Sequence, residues 1–329
     1  MTHGGGGRAT AELIENLFHR HLKNTILDQR HDAAVLDIPA GRLVVSTDAH
    51  VISPLFFPGG DIGSLAVHGT LNDVAMAGAK PVSLTASFIL EEGFSLSDLE
   101  RIVISMARAA DEVGVPVVSG DTKVVEKGKG DGVFITTTGV GVLPEGVDIS
   151  PTSAKPEQAV LISGSIGDHG VAILSKRENL EFETEIQSDS AALHGVVARM
   201  IEAVPGISVL RDPTRGGLAT ALNEIAQSSG VGVVLQEDDI PVNPDVEAAC
   251  EILGLDPLYV ANEGKLICIC DASDADRLLG IMRADENGRH AAKIGEIVED
   301  ADHMVVMQTS FGGARVVDWL SGEQLPRIC

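Results

Sequence analysis

Four aspartates stand inside apolar runs or beside them, where an unpaired carboxylate is costly to desolvate. Asp48 closes Leu43-Val44-Val45-Ser46-Thr47, and Asp121 follows Val117-Val118-Ser119-Gly120. Asp32 precedes Ala33-Ala34-Val35-Leu36, and Asp73 interrupts the otherwise apolar Leu71-Asn72-Asp73-Val74-Ala75-Met76-Ala77. Hard carboxylate oxygens in such places suit Mg²⁺ held together with nucleotide phosphates. Unrelated turn and cap acids are the plain alternative in a chain this rich in aspartate. Arg211-Asp212-Pro213-Thr214-Arg215-Gly216-Gly217 opens a helix. Thr214 or Asp212 can cap it, and two arginines can reach an anion. Gly164-x-x-Gly167-x-x-Gly170 joins a strand to a helix, either as a tight turn or as backbone N–H groups aimed at an anion. Lys123 follows the turn Gly120-Asp121-Thr122, while Glu263 and Lys265 flank Gly264 before an apolar strand. Meeting in a cleft, a Lys and a Glu share proton transfer; apart, they are surface ion-pair members.

The four cysteines divide. Cys268 and Cys270 alternate on a strand without the C-x₂-C spacing of zinc sites, so they read as core, and Cys250 reads as helical and structural. Cys329 ends the stretch Ser321-Gly322-Glu323-Gln324-Leu325-Pro326-Arg327-Ile328-Cys329, in which Gly322 and Pro326 disfavour a helix. Nine extended residues reach roughly 30 Å, which makes this a candidate mobile tail carrying a thiol.

The elements that must position these groups alternate along the chain. An apolar stripe of Leu13, Ile14, Leu17, Phe18 and Leu22 predicts an early helix. Strands are expected over 42–47, 82–90, 115–119 and 133–142, with helices over 63–77 and 96–113 between them. Pro144, Pro151 and Pro156 mark a boundary. Beyond it, strands are expected over 159–163, 231–235, 266–270 and 303–307, with helices over 170–177, 191–203, 217–228 and 275–285. The expected fold class is α+β with two domains, 36–150 and 151–316. An arm and helix over 1–35 precede them and a tail over 317–329 follows.

Composition narrows the function. With 24 basic against 48 acidic residues, the formal charge is −24, which disfavours nucleic acid and anionic membrane surfaces. Eight Phe, one Trp and one Tyr leave little for base stacking. No apolar run approaches a membrane span. The N-terminus lacks a secretory pattern and cysteines are few, so a cytoplasmic enzyme or scaffold is expected. A P-loop is absent.

Taken together, these segments resemble a known family. Ser46-Thr47-Asp48-Ala49-His50-Val51, Pro58-Gly59-Gly60-Asp61-Ile62-Gly63, Gly69-Thr70-Leu71-Asn72-Asp73-Val74-Ala75-Met76 and Ser119-Gly120-Asp121-Thr122-Lys123 are similar to the ATP-binding half of the aminoimidazole ribonucleotide synthetase (PurM-like) superfamily. Ser163-Gly164-Ser165-Ile166-Gly167-Asp168-His169-Gly170, Asp212-Pro213-Thr214-Arg215-Gly216-Gly217 and Asn262-Glu263-Gly264-Lys265 are similar to its second half. Pro326-Arg327-Ile328-Cys329 resembles the ending of one branch, the HypE carbamoyl dehydratases of hydrogenase maturation.

The resemblance implies a PurM-like fold and a homodimer with ATP sites in a groove between subunits. It implies Mg²⁺ on Asp48, Asp73 and Asp121, with Asp32 as a further candidate, and Asn72 and Thr122 hydrogen-bonding phosphate oxygens. A carbamoyl group would be loaded on Cys329 by the carbamoyltransferase HypF and dehydrated with ATP to a thiocyanate, with Glu263 and Lys123 as the proton-transfer pair. A HypC–HypD complex would then take cyanide to the iron of [NiFe]-hydrogenase. The chain departs from the family pattern at Gly5, in the glycine-rich arm, and at His31-Asp32, where paired acids are usual. Other members are small-molecule kinases and selenophosphate synthetases; the latter use a reactive residue near the arm, and no Cys precedes residue 250 here. An acidic scaffold that only presents Cys329 is the non-enzymatic alternative.

Overall fold

The computed structural model describes residues 7–30, 33–180 and 185–321. Expectations for Gly5, His31, Asp32 and Cys329 therefore lie outside the described residues.

The first half is built on a four-stranded sheet of β1 (Arg42–His50), β2 (Lys80–Glu91), β3 (Val117–Val125) and β4 (Val133–Leu143), in the order β1-β4-β2-β3. A helical segment, α1, spans 8–22, with a π-helical stretch Ile14–His19 between α-helical turns. Its Leu13 and Leu17 are buried as the stripe predicts, while Ile14 is exposed. Two long helices, α2 (Ile62–Met76) and α3 (Leu96–Val113), cover one face of the sheet.

Asp61 starts α2 with a capping box: its carboxylate accepts from the Gly63 and Ser64 amides, and Ser64 Oγ lies 3.2 Å from the Asp61 amide. Almost every side chain of α2 is buried, and Asp73 is the acid it carries. Close approach to β4 is possible because β4 presents Gly139 and Gly141 there; a Cβ on Gly141 would collide with Val74.

The second half is a seven-stranded sheet. Its strands are β5 (Gln158–Ile162), β6 (Val209–Arg211), β7 (Gly232–Gln236), β8 (Ile267–Asp271), β9 (Ala292–Val298), β10 (Val305–Gln308) and β11 (Ala314–Val316). Their order is β11-β10-β7-β9-β5-β8-β6. The helices are α4 (Asp168–Arg177), α5 (His194–Ala203), α6 (Gly217–Ser229), α7 (Pro244–Leu253) and α8 (Ala275–Arg283). One hydrophobic cluster joins the halves, since Ala75 and Met76 of α2 pack with Leu193, Met200 and Leu210.

The mixed α+β architecture agrees with the sequence reading, and Cys268 and Cys270 are fully buried core residues as expected. Three details differ. The Gly120-Asp121-Thr122 segment is not a turn but the middle of β3, paired in parallel with β2. Strands β6, β9 and β11 were not expected; two of them are only three residues long, and β9 carries a register shift at Lys293/Gly295 that blurs its alternation. Neither Thr214 nor Asp212 caps α6, whose N-cap is Gly216 at φ +76°.

Candidate active site

A cleft of about 500 Å³ opens between the two halves. β1 contributes Ser46, Asp48 and His50, three alternate residues that share the α2-facing side of the strand. α2 contributes Gly69 and Asp73, one helical turn apart on one face. The other wall comes from Arg211, which ends β6, from Asp212, Thr214 and Arg215, which follow it, and from Glu263, just before β8.

Side chains from distant segments converge over bare backbone at Gly69. A Cβ there would stand 3.2 Å from His50 Cε1, 3.7 Å from Asp48 Oδ2 and 3.8 Å from Glu263 Oε2.

Glu263 is held by its backbone. Its amide donates to Asp189 Oδ1 at 3.0 Å, and its carbonyl accepts from Asn72 Nδ2 at 3.2 Å. Asn72 also donates to the Ala191 carbonyl at 2.9 Å and accepts from the Leu193 amide at 2.8 Å. Both amide hydrogens of Asn72 are thus committed inside the protein, which makes it a positioning residue for Glu263 in this structure. The neighbouring Asn262 donates to the Pro213 and Val260 carbonyls and accepts from the Gly167 amide, which locks the 212–215 segment to Glu263. Lys265 and Asp189 form a buried ion pair at 3.2 Å beneath this frame. The sequence reading allowed Glu263 and Lys265 to be surface residues; both are buried.

Electrostatically the cleft is overloaded with negative charge. Burial raises the Asp48 pKa, against an opposing pull from Arg215. Burial also raises Asp73, and Asp48 adds to this; Ser46 Oγ, donating at 2.7 Å, and Arg211 work the other way. Asp212, half-buried at the cleft wall, is pushed up to about 7, first by desolvation and then by Asp73. Burial, followed by the charges of Asp212, Asp189, Asp48 and Asp73, holds Glu263 well above the usual carboxylate range. His50 is held neutral. Thr137 Oγ1 donates to the Ala66 carbonyl at 3.0 Å, so it accepts from Thr70 and from His50 Nε2, at 2.6 and 3.2 Å. The His50 proton therefore sits on Nε2, and burial lowers its pKa to about 4.

The Asp212 shift has a defined sign. Its pKa is near 3.8 unfolded and about 7 folded, so the folded state binds the proton more tightly. The contribution of Asp212 to the stability of the metal-free protein therefore falls as pH rises from about 4 to about 7, then levels off. Asp212→Asn should raise the urea midpoint at pH 8, by a free energy on the order of a few kcal/mol, and much less at pH 5. Equal gains at the two pH values would show that Asp212 ionises normally.

Of the acids singled out in the sequence, Asp48 and Asp73 meet in the cleft. Asp121, Thr122 and Lys123 do not join them within one chain. β3 lies at the edge of the sheet opposite β1, three strand spacings or roughly 14 Å away. Register adds a second separation. Asp48 pairs with Thr137 on the buried, helix-covered face, while Asp121 pairs with Ser87, Ser87 with Thr136, and Thr136 with the exposed Ala49. Asp121 and Lys123 therefore project from the other face, paired with each other at 3.0 Å in solvent. Lys123 holds the Asp121 pKa below its ordinary value.

Three cleft residues, Ser46, His50 and Asp212, and the supporting Asp189 escaped the sequence reading in these roles. The alternation of β1 placed Ser46 and His50 with Asp48 and was the available signal. Nothing local marks Asp189, and Asp212 was read as a helix cap.

Comparison with known proteins agrees with this construction. Residues 30–143 match the AIR synthase related protein N-terminal domain, and residues 155–308 match its C-terminal domain. Carbamoyl dehydratase HypE of Cupriavidus necator is 69% identical over 100% of this chain and 94% of its own length. A solved structure of hydrogenase maturation protein HypE in complex with ATP superposes with a TM-score of 0.97 at 51% identity, covering 100% of this chain and 99% of that one. A HypE–HypF complex gives 0.83 at 49% identity, covering 94% and 99%. The two matched domains, the carboxylate cleft between them and this similarity along the full length place the chain in the AIR synthase related proteins, within the HypE family of carbamoyl dehydratases.

Proposed function

We propose that this chain uses ATP to dehydrate a carbamoyl group carried on the Cys329 thiol, for the cyanide ligand of a [NiFe]-hydrogenase. The observation that carries this reading is Glu263, a buried carboxyl of raised pKa held at a cleft that also offers Asp48, Asp73 and two arginines. A thiocarbamate, S–C(=O)–NH₂, loses water slowly because hydroxide is a poor leaving group. Its carbonyl oxygen attacks the γ-phosphorus of ATP and ADP leaves; the nitrogen gives up one proton, leaving an S–C(=NH)–O–phosphate. Loss of the second nitrogen proton breaks the C–O bond and yields S–C≡N and phosphate. Glu263 is the base for these protons, since a carboxylate of raised pKa is the stronger acceptor. Arg211 and Arg215 face the phosphates across the cleft.

Asp48 and Asp73 would hold Mg²⁺, which supplies charge neutralisation between carboxylates and phosphates. The donor set suits a shared ion. Among the described residues no three acidic, His or Cys side chains close around one point, so phosphate and water oxygens must complete the shell.

Asp121, Thr122 and Lys123 enter this reading through a second copy. The outer face of the first sheet, which carries Asp121 and Lys123, also exposes Ile89 beside Lys123 and Leu43 and Val45 at the opposite edge, which supports a homodimer through this face. Lys123 of the partner subunit would then work with Glu263. HypF as carbamoyl donor protein and HypC–HypD as acceptor belong to the same proposal, with the HypE–HypF complex of a relative in its support.

Mass spectrometry of the C-terminal peptide tests the chemistry. The expected result is a carbamoyl adduct on Cys329 that loses one water only with Mg-ATP and is missing in Cys329→Ala. An adduct on Cys250, Cys268 or Cys270, or dehydration without ATP, would overturn it. Mixing the inactive Glu263→Gln and Lys123→Ala chains tests the pairing. With free subunit exchange, roughly a quarter of the sites regain both groups and turnover returns. Continued inactivity of an exchanged mixture would overturn the pairing of Glu263 with Lys123 across subunits.

A further inference from the structure

The segment just before the C-terminal residues is held far more firmly than a tail root requires. Val317 is fully buried, its amide donating to the Val305 carbonyl at 2.8 Å. Asn223, buried on α6, donates to the Val317 carbonyl at 2.9 Å. The Tyr259 hydroxyl donates to the Asp318 carbonyl at 2.9 Å, and the Trp319 amide donates to Asp318 Oδ1 at 2.7 Å. Two successive residues, Val317 and Asp318, are thus tied to β10, to α6 and to the 256–263 segment that ends in Glu263, and Trp319 is tied to Asp318.

Trp319, the single tryptophan of the sequence, then forms one wall of a side pocket of about 210 Å³ that Pro151, Arg211, Glu224 and Ile225 also line. Pro151 and Arg211 also line the main cleft, so the two cavities share a wall. Arg211 is tethered there by Glu224 at 2.5 Å.

Resting on the functional reading above, we propose that residues 317–319 form a dock that starts the C-terminal segment at the cleft rim, with Trp319 beside Arg211 as its positioning residue. Eight residues follow from 322 to 329, and fully extended they span about 27 Å. That length allows Cys329 to be almost anywhere near the protein. A fixed starting point one side chain from the cleft confines the thiol to its mouth and raises its effective concentration there. The Arg211 wall gives the dock a second property. A phosphate that draws Arg211 toward the cleft must change the surroundings of the Trp319 indole.

Single-turnover conversion of pre-carbamoylated protein, followed by mass spectrometry, tests the dock alongside ATP titration. Trp319→Ala should convert about tenfold more slowly than the parent with unchanged ATP affinity, and Trp319→Phe should recover most of the rate. In the parent chain, Mg-ATP should change the emission of Trp319. A Trp319→Ala rate equal to the parent's would overturn the dock, as would a rate loss matched by a loss of ATP affinity, or unchanged emission on ATP binding. If the parent itself converts nothing, the functional reading fails, and the emission measurement alone decides the dock.

Discussion

Glu263→Gln should trap the reaction halfway. With a carbamoylating partner and Mg-ATP, the variant is expected to accumulate undehydrated adduct on Cys329, with conversion reduced by roughly 10²–10⁴-fold. The magnitude follows from removing the base that takes protons from nitrogen. The fold should survive, because Glu263 is located by its backbone, through Asp189 and Asn72, and not by its carboxyl. Gln also relieves the crowding of negative charge around this side chain, so thermal stability should stay level or rise. Conversion at the parent rate would assign the base elsewhere, and His50, the neutral imidazole facing Glu263 across Gly69, is the next group to substitute.

Asp73→Asn carries the second large effect. Ser46 can still donate to the Asn carbonyl, so the local hydrogen bond persists while the charge is lost. Mg-dependent ATP turnover should fall by 10²-fold or more, since a charge aimed at the transferring phosphoryl group and its metal acts in a partly dry site. Asp212, whose pKa Asp73 helps to raise, should move back toward the ordinary range in the same variant. Turnover that persists unchanged would place the nucleotide outside this cleft.

The sequence was most informative where function and local pattern coincide. Asp48 on the buried face of β1 and Asp73 on an apolar helix are expensive positions for carboxylates, and both line the cleft. Local pattern shows Glu263 as a turn residue before an apolar strand and the resemblance marks it as a base, but its depth comes from Asn72 and Asp189, 191 and 74 positions away. Asp212 was misread because Asp-Pro-Thr before a helix satisfies a capping pattern. Gly216 took the cap, and the carboxyl turned to the cleft.

By itself the sequence determined the alternation of strands and helices, the α+β class, the acidic character and the family, because periodicity, glycine placement and motif spacing are properties of local chain. Only the tertiary structure decided which groups share a site. Pairing register put Asp48 and Asp121 on opposite faces of one sheet, separating residues that the sequence had grouped. Packing of the two halves did the reverse, bringing Asp48, Asp73, Asp212 and Glu263 together until each altered the others' proton affinity. Desolvation and charge coupling act through space, over distances that no spacing along the chain records.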